Sequence, residues 1–319
     1  MTHRRFRMHR TQSIALIGIA LCAFDAETAA AQAPASRIDT FRVAMPQLGG
    51  RERTIRIYLP AGYDGGARRY PVLYLQDGQQ LFSPGPYGDW RVDETMDRLV
   101  AERKTPGIIV VGIDNGERRW DEYGPWTNRR MHDWVDSSWS RSIEGGEGAA
   151  YVDFLARTLK PEIDRRYRTL PGREHTGIGG SSMGGLIALY AGLARPDVFG
   201  RVMAMSPAVW FAEGGGPWLS RNRLVDWIRS GTPPRDVRFY LDVGTLERSR
   251  ERDPDVTDRD GRPVTYPRAY VEGAQAVVNA LRERGVPEAN LRHVIDEDAP
   301  HHESAWARRL EDAVLWLHR

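Results

Sequence analysis

The 319 residues include a single cysteine, Cys22, so no disulfide can form within the chain and the fold must be held by its core alone. Long apolar runs are missing as well. The most apolar stretch, residues 13–24, is too short for a bilayer anchor, which needs about 20 such residues. Charge of one sign is also absent, with 45 basic against 43 acidic residues. Arg4, Arg5, Arg7 and Arg10 outnumber Asp25 and Glu27 within the first 33 residues, so the chain beyond them is formally neutral. Nothing here favours nucleic acid, and the pI of 8.7 owes part of its value to those arginines. No internal repeat is present.

What is there begins with a basic start, an apolar core at 13–24 and a small-residue stretch at 28–33, the order of a secretory signal peptide. Cleavage is expected after Ala33, following Ala31-Gln32-Ala33, with Ala31 the alternative. Leu21 before Cys22 and Ala23-Phe24 after it fit a lipidation site poorly. The expected location is therefore periplasmic or secreted, without a membrane anchor. Residues 34–319 are long enough for one catalytic domain with a deep core.

Apolar periodicity predicts strands at 54–59, 70–75, 107–113, 175–180, 201–205, 237–244 and 291–295. Helical spacing predicts helices over 92–99, 149–167, 186–194, 219–228, 269–284 and 303–317. The stretch 54–59 alternates and closes on Pro60, as a half-exposed edge strand does. Most of the others are continuously apolar, which suits strands buried on both faces. Their alternation with helices predicts an α/β fold whose mainly parallel sheet carries helices on both faces.

Gly180-x-Ser182-x-Gly184 lies between the strand at 175–180 and the helix at 186–194, the setting in which a serine sits on a strained strand-to-helix turn. Ser182 is the candidate nucleophile, and the Met183 N–H at the helix start faces any oxyanion formed beside it. Ser181 and Ser206 read as structural. A serine of this kind is followed along the chain by an acid and then a histidine. Of eight histidines, only His301 and His302 occupy a loop after a late strand. The acid should follow the strand ending at Gly244, where Glu247 is preferred over Asp253 and Asp255, while Asp242 stays in the strand. The paired histidines lack carboxylates at ligand spacing, so no metal site is expected.

Residues 114–148 are too long for an ordinary connection and too rich in tryptophan for disorder. With Phe82, Trp90, Trp210 and Phe211, this insertion is expected to wall an open aromatic cleft. Trp126 and Arg119 are its candidate substrate contacts, alongside Phe82, Trp90 and Trp210. The same aromatics would equally serve to pin the insertion to the core.

Several stretches together carry a resemblance. They are Gln76-Asp77-Gly78-Gln79-Gln80-Leu81-Phe82 after the strand at 70–75, Lys160-Pro161-Glu162-Ile163-Asp164, the serine turn through Pro196-Asp197-Val198-Phe199-Gly200, and Ser206-Pro207. Asp242-Val243-Gly244-Thr245-Leu246-Glu247 and His301-His302-Glu303-Ser304-Ala305-Trp306 complete the set. Over residues 54–316 the chain resembles the Putative esterase family of α/β-hydrolases, which includes feruloyl and acetylxylan esterases, S-formylglutathione hydrolase, siderophore trilactone esterases and mycolyltransferases. The resemblance implies Ser182 as nucleophile, Glu247 as acid and His301 as base. His301 is picked over His302 because similar chains place the histidine five residues before the tryptophan, here Trp306. It also implies a second oxyanion donor from the backbone near Gly78 or Gln79. The reaction expected is two-step acyl transfer without a cofactor, on a bulky aryl, sugar or siderophore ester. An acyltransferase using the same acyl-enzyme and a non-catalytic binding protein are the alternatives.

Overall fold

The computed structural model describes residues 1–2, 35–85, 88–248 and 253–319. The expected leader at 1–33 therefore lies outside the described residues, apart from Met1 and Thr2. Residues 33–319 make one unit.

Among the described residues the chain opens with an antiparallel hairpin, β1 (Arg37–Met45) and β2 (Arg51–Leu59), turned at Gly49 and Gly50, both at positive φ. There follow β3 (Val72–Gln76), α1 (Val92–Ala101) and β4 (Ile109–Ile113). The insertion carries α2 (Arg119–Tyr123) and α3 (Met131–Trp134). Then α4 (Gly148–Phe154) passes through a π-helical segment, Leu155–Leu159, into α5 (Lys160–Arg166). After them come β5 (Thr176–Ser181), α6 (Met183–Ala194), β6 (Arg201–Met205) and α7 (Arg223–Ser230). The chain ends with β7 (Arg238–Leu246), α8 (Tyr266–Glu283), β8 (Leu291–Pro300) and α9 (Glu303–Leu317).

The strands form an eight-stranded sheet in the order β1-β2-β4-β3-β5-β6-β7-β8. From β4 to β8 every neighbouring pair is parallel, and only β1 and β2 run against their neighbours. This is the mainly parallel α/β sheet that the alternation of elements predicts. One expectation is corrected. The 54–59 strand is not an edge, because β1 pairs along it from Arg37 opposite Leu59 to Met45 opposite Arg51. Only Phe41, Val43 and Met45 of β1 reach the core, so the strand carries too little apolar pattern to stand out from a polar lead-in.

Alternation along the buried strands sends side chains to two cores. Val72, Tyr74, Ile109, Val111 and Ile178 pack on the face covered by α4, α6 and α8. Leu73, Leu75, Val110, Met203 and Met205 pack against Met96 and Leu99 of α1 and Leu310 and Val314 of α9. Each such side chain, taken fully out of water, contributes about 1.5–3 kcal/mol. The insertion is anchored to the hairpin by a buried ion pair, Arg53 Nη2 to Glu122 Oε2 at 2.6 Å. Arg51 also reaches Glu122 at 3.1 Å and bonds Glu147 at 2.6 Å. With α2 fixed in this way, its first residue, Arg119, is delivered to the carboxyl ends of the parallel strands.

Candidate active site

Ser182 stands between β5 and α6 with φ 55° and ψ −122°, a conformation that costs a non-glycine residue of order 1–3 kcal/mol. Its N–H donates to Met205 O at 3.0 Å, and its carbonyl accepts from Ala208 N at 2.9 Å and Leu186 N at 3.1 Å. The surroundings hold the strain in place. Gly184 must be glycine because a Cβ there would lie 2.9 Å from the Gln76 Cβ of the neighbouring strand. Met183 opens α6, so its N–H is one of the four that find no acceptor within the helix.

The acid and histidine candidates meet. His301 Nδ1 and Glu247 Oε2 are 2.5 Å apart, and Glu247 is wholly buried. Glu247 Oε1 accepts from Gly244 N at 2.6 Å and from the Ser206 hydroxyl. That hydroxyl in turn accepts from Trp306 Nε1 at 3.0 Å and Arg309 Nη2 at 3.1 Å. The β7–β8 register shifts between Gly244 and Leu246. A Cβ on Gly244 would come within 2.1 Å of Ala299 O, so glycine is what allows β8 to close over this point and bring His301 to Glu247. Asp242, fully buried, pairs with Arg309 at 3.1 Å, and burial pushes its carboxyl up to about 6.

The imidazole of His301 is packed between two aromatic rings, Tyr270 at 4.6 Å between centroids and Trp306 edge-on at 5.0 Å and 89°. Its Nε2 faces the Tyr270 hydroxyl at 3.5 Å. His302 turns away: exposed, it caps α9 by accepting Ser304 N at 3.2 Å. Glu303 is buried near His301, Asp77 and Arg119, and loss of hydration raises its carboxyl to about 7.

The turn after β3 lies beside the serine because β3 and β5 are neighbours. Asp77 has φ 57° there and is followed by the tight Gly78–Gln80 turn. Its carboxylate holds Arg119 through Nε at 2.8 Å and Nη2 at 2.9 Å, and Asn115 Nδ2 at 2.6 Å. Gln79 Oε1 accepts from Asn115 N at 3.1 Å, which ties the same turn to the end of β4.

Of the residues expected on a cleft wall, Arg119 alone is built into this cluster; the aromatic ones are placed otherwise. Trp90 is buried against Trp306 at 5.7 Å, supporting the ring that packs on His301. Phe82 stacks on Tyr58 at 6.4 Å over Gly112. Trp126 packs edge-on between Tyr190 of α6 and Trp227 of α7, at 5.6 and 6.0 Å. Trp210 is buried and stacks on Trp134 at 5.2 Å. Trp90 and Trp210 are thus core contacts, whereas Phe82 and Trp126 pack against the cores while staying partly exposed. Sequence reasoning gave Tyr270, Asp77 and Glu303 no role and read Ser206 as structural, although Asp77, Ser206 and Glu303 all lie in the stretches that carry the family resemblance.

A family model described as Putative esterase matches residues 47–317. The uncharacterized protein YbbA of Bacillus subtilis (strain 168) is 25% identical over 266 residues, 83% of this chain and 92% of that protein. The ferri-bacillibactin esterase BesA of the same strain is 28% identical over 291 residues, 81% of this chain and 91% of that protein. A solved ferulic acid esterase shares the fold with a TM-score of 0.62 and 21% identity, covering 89% of this chain and 98% of that one.

Proposed function

The chain belongs to the Putative esterase family of α/β-hydrolases, and on that premise we propose that it is an exported serine carboxylic-ester hydrolase working through an acyl-enzyme on Ser182. The observation that carries this reading is the buried Glu247–His301 pair, together with a strained serine at a helix start. Glu247 accepts the Nδ1–H of His301 and so leaves Nε2 free to take the Ser182 proton. Ser182 Oγ then bonds the ester carbon, and the carbonyl oxygen, now negative, receives the Met183 N–H and a backbone N–H from Gly78 or Gln79. Collapse breaks the bond to the alcohol oxygen, which takes the proton from His301. Water, deprotonated by the same imidazole, repeats the sequence and releases the acid.

A relative named as a ferri-bacillibactin esterase and a structural neighbour named as a ferulic acid esterase support a bulky aryl, sugar or siderophore ester as substrate. Among the described residues no helix is long and apolar enough to cross a membrane. Export rests on the basic and apolar leader pattern, and the amino terminus of the protein recovered from the periplasm or medium tests it.

The deciding experiment is labelling with a fluorophosphonate, followed by a panel of acetyl, feruloyl, aryl and trilactone esters. Wild-type protein should be labelled on Ser182 and hydrolyse at least one class. Ser182→Ala should lose both properties by several powers of ten while keeping its melting temperature. Hydrolysis retained by Ser182→Ala would refute the assignment.

A further inference from the structure

Tyr270 lies on the second turn of α8, far in sequence from the serine, yet its hydroxyl faces the histidine nitrogen that must serve it. It is 3.5 Å from His301 Nε2, the outer limit of a hydrogen bond and a separation that commonly tightens when substrate binds. The ring is buried and packed on the imidazole, so the hydroxyl has little freedom to swing away.

The position decides which reacting oxygen this donor meets. The oxyanion forms on the side of the Met183 N–H, at the start of α6. The alcohol departs on the side of His301 Nε2, because that nitrogen supplies its proton. We infer that the Tyr270 hydroxyl is a catalytic donor to the leaving-group oxygen of the ester, placed there by α8 beside His301. As the carbon–oxygen bond breaks, its electron pair goes to the departing oxygen, the proton on that oxygen comes from His301, and Tyr270 keeps its own proton while donating a hydrogen bond. Burial raises the phenol to about 12, so the donor stays protonated wherever the histidine works. The inference rests on the hydrolase reading of Ser182 and His301.

A donor to the leaving oxygen matters more as that oxygen becomes more basic, which separates this role from packing. Tyr270→Phe should be compared with wild type on para-nitrophenyl, phenyl and ethyl acetate. The loss in kcat/KM should grow in that order, from a few-fold to about 100-fold for the alkyl ester, the effect of removing one well-placed donor. Fluorophosphonate labelling of Ser182, in which fluoride leaves without help, should stay close to wild type in the same variant. An equal loss on all three esters, no loss on any, or a matching loss of labelling would overturn the assignment to the leaving group. Wild-type protein that hydrolyses none of the three and resists labelling would overturn the hydrolase reading, and this inference with it.

Discussion

Glu247→Gln should be more harmful than Glu247→Ala, and the hydrogen bonds around the carboxylate say why. Oε1 accepts from Gly244 N at 2.6 Å, a backbone donor that has no alternative orientation. It also accepts from the Ser206 hydroxyl, whose own oxygen is committed to Trp306 Nε1 and Arg309 Nη2 and whose proton must therefore point at Glu247. A glutamine placed here has to present its carbonyl to these two donors, because the flipped amide would set N–H against N–H. The NH2 group is then fixed toward His301 Nδ1, 2.5 Å away in the parent. Imidazole can accept that bond only by carrying its proton on Nε2. In that tautomer Nε2 cannot take a proton from Ser182, and the same error of tautomer in a serine triad costs about 10⁴-fold in kcat, roughly 5 kcal/mol of barrier. Alanine leaves a space with no donor in it, so His301 keeps access to either tautomer and about 10²–10³-fold should be lost. The assay is kcat/KM for para-nitrophenyl acetate on the plateau of the pH profile, with melting temperature as the control for folding. Glutamine retaining more than about a tenth of wild-type activity, or alanine proving as harmful as glutamine, would refute the reasoning.

His301→Ala should abolish hydrolysis, whereas His302→Ala should change kcat/KM by no more than about 2-fold and lower stability by about 1 kcal/mol, the usual loss when a helix cap is removed. Parallel kinetics and urea melts decide between them, and equal kinetic losses would mean that the wrong histidine faces the serine. Glu303 has its carboxyl raised from 4.5 to about 7 by burial, so between those values the folded protein holds a proton that the unfolded chain has released. Its effect is therefore a stability that falls as pH rises through that window, by an amount on the order of 3 kcal/mol. Glu303→Gln should flatten this slope and melt higher than wild type above the window; an unchanged slope in melts taken across it would refute the assignment.

The parts of the chain legible from sequence are those whose signal is local. β6 at 201–205 and α9 at 303–317 begin and end where the apolar pattern does, since neighbours in sequence settle their periodicity. The turn at Ser182 was legible because only small residues fit between β5 and α6. β1 was missed because a strand with one buried and two half-buried core side chains carries little pattern of its own. That Glu247, and not Asp253 or Asp255, approaches His301 depends on the register shift after Gly244, which exists only once β7 and β8 pair. Tyr270 was legible only as part of the buried stripe of α8, since the angle at which the helix docks decides which residue of that stripe meets His301.

The insertion shows how charge can be misread as recognition. Its arginines suggest a surface waiting for an acidic ligand, yet Arg118 is taken up by Glu147 and Arg141 by Asp121 and Glu144, while Arg51 and Arg53 of β2 hold Glu147 and Glu122. Such pairs add little net stability, the buried one included, because desolvation offsets most of the attraction. What they do is fix position. They hold α2 against the hairpin, and Arg119 at its start then clasps Asp77 through two of its nitrogens. A ligand carboxylate seeking a forked bond would have to displace Asp77, and with it the brace on the turn that carries Gly78 and Gln79. Arg119 therefore acts first as a support for that turn. Selectivity among esters has to come from groups other than this clasped guanidinium.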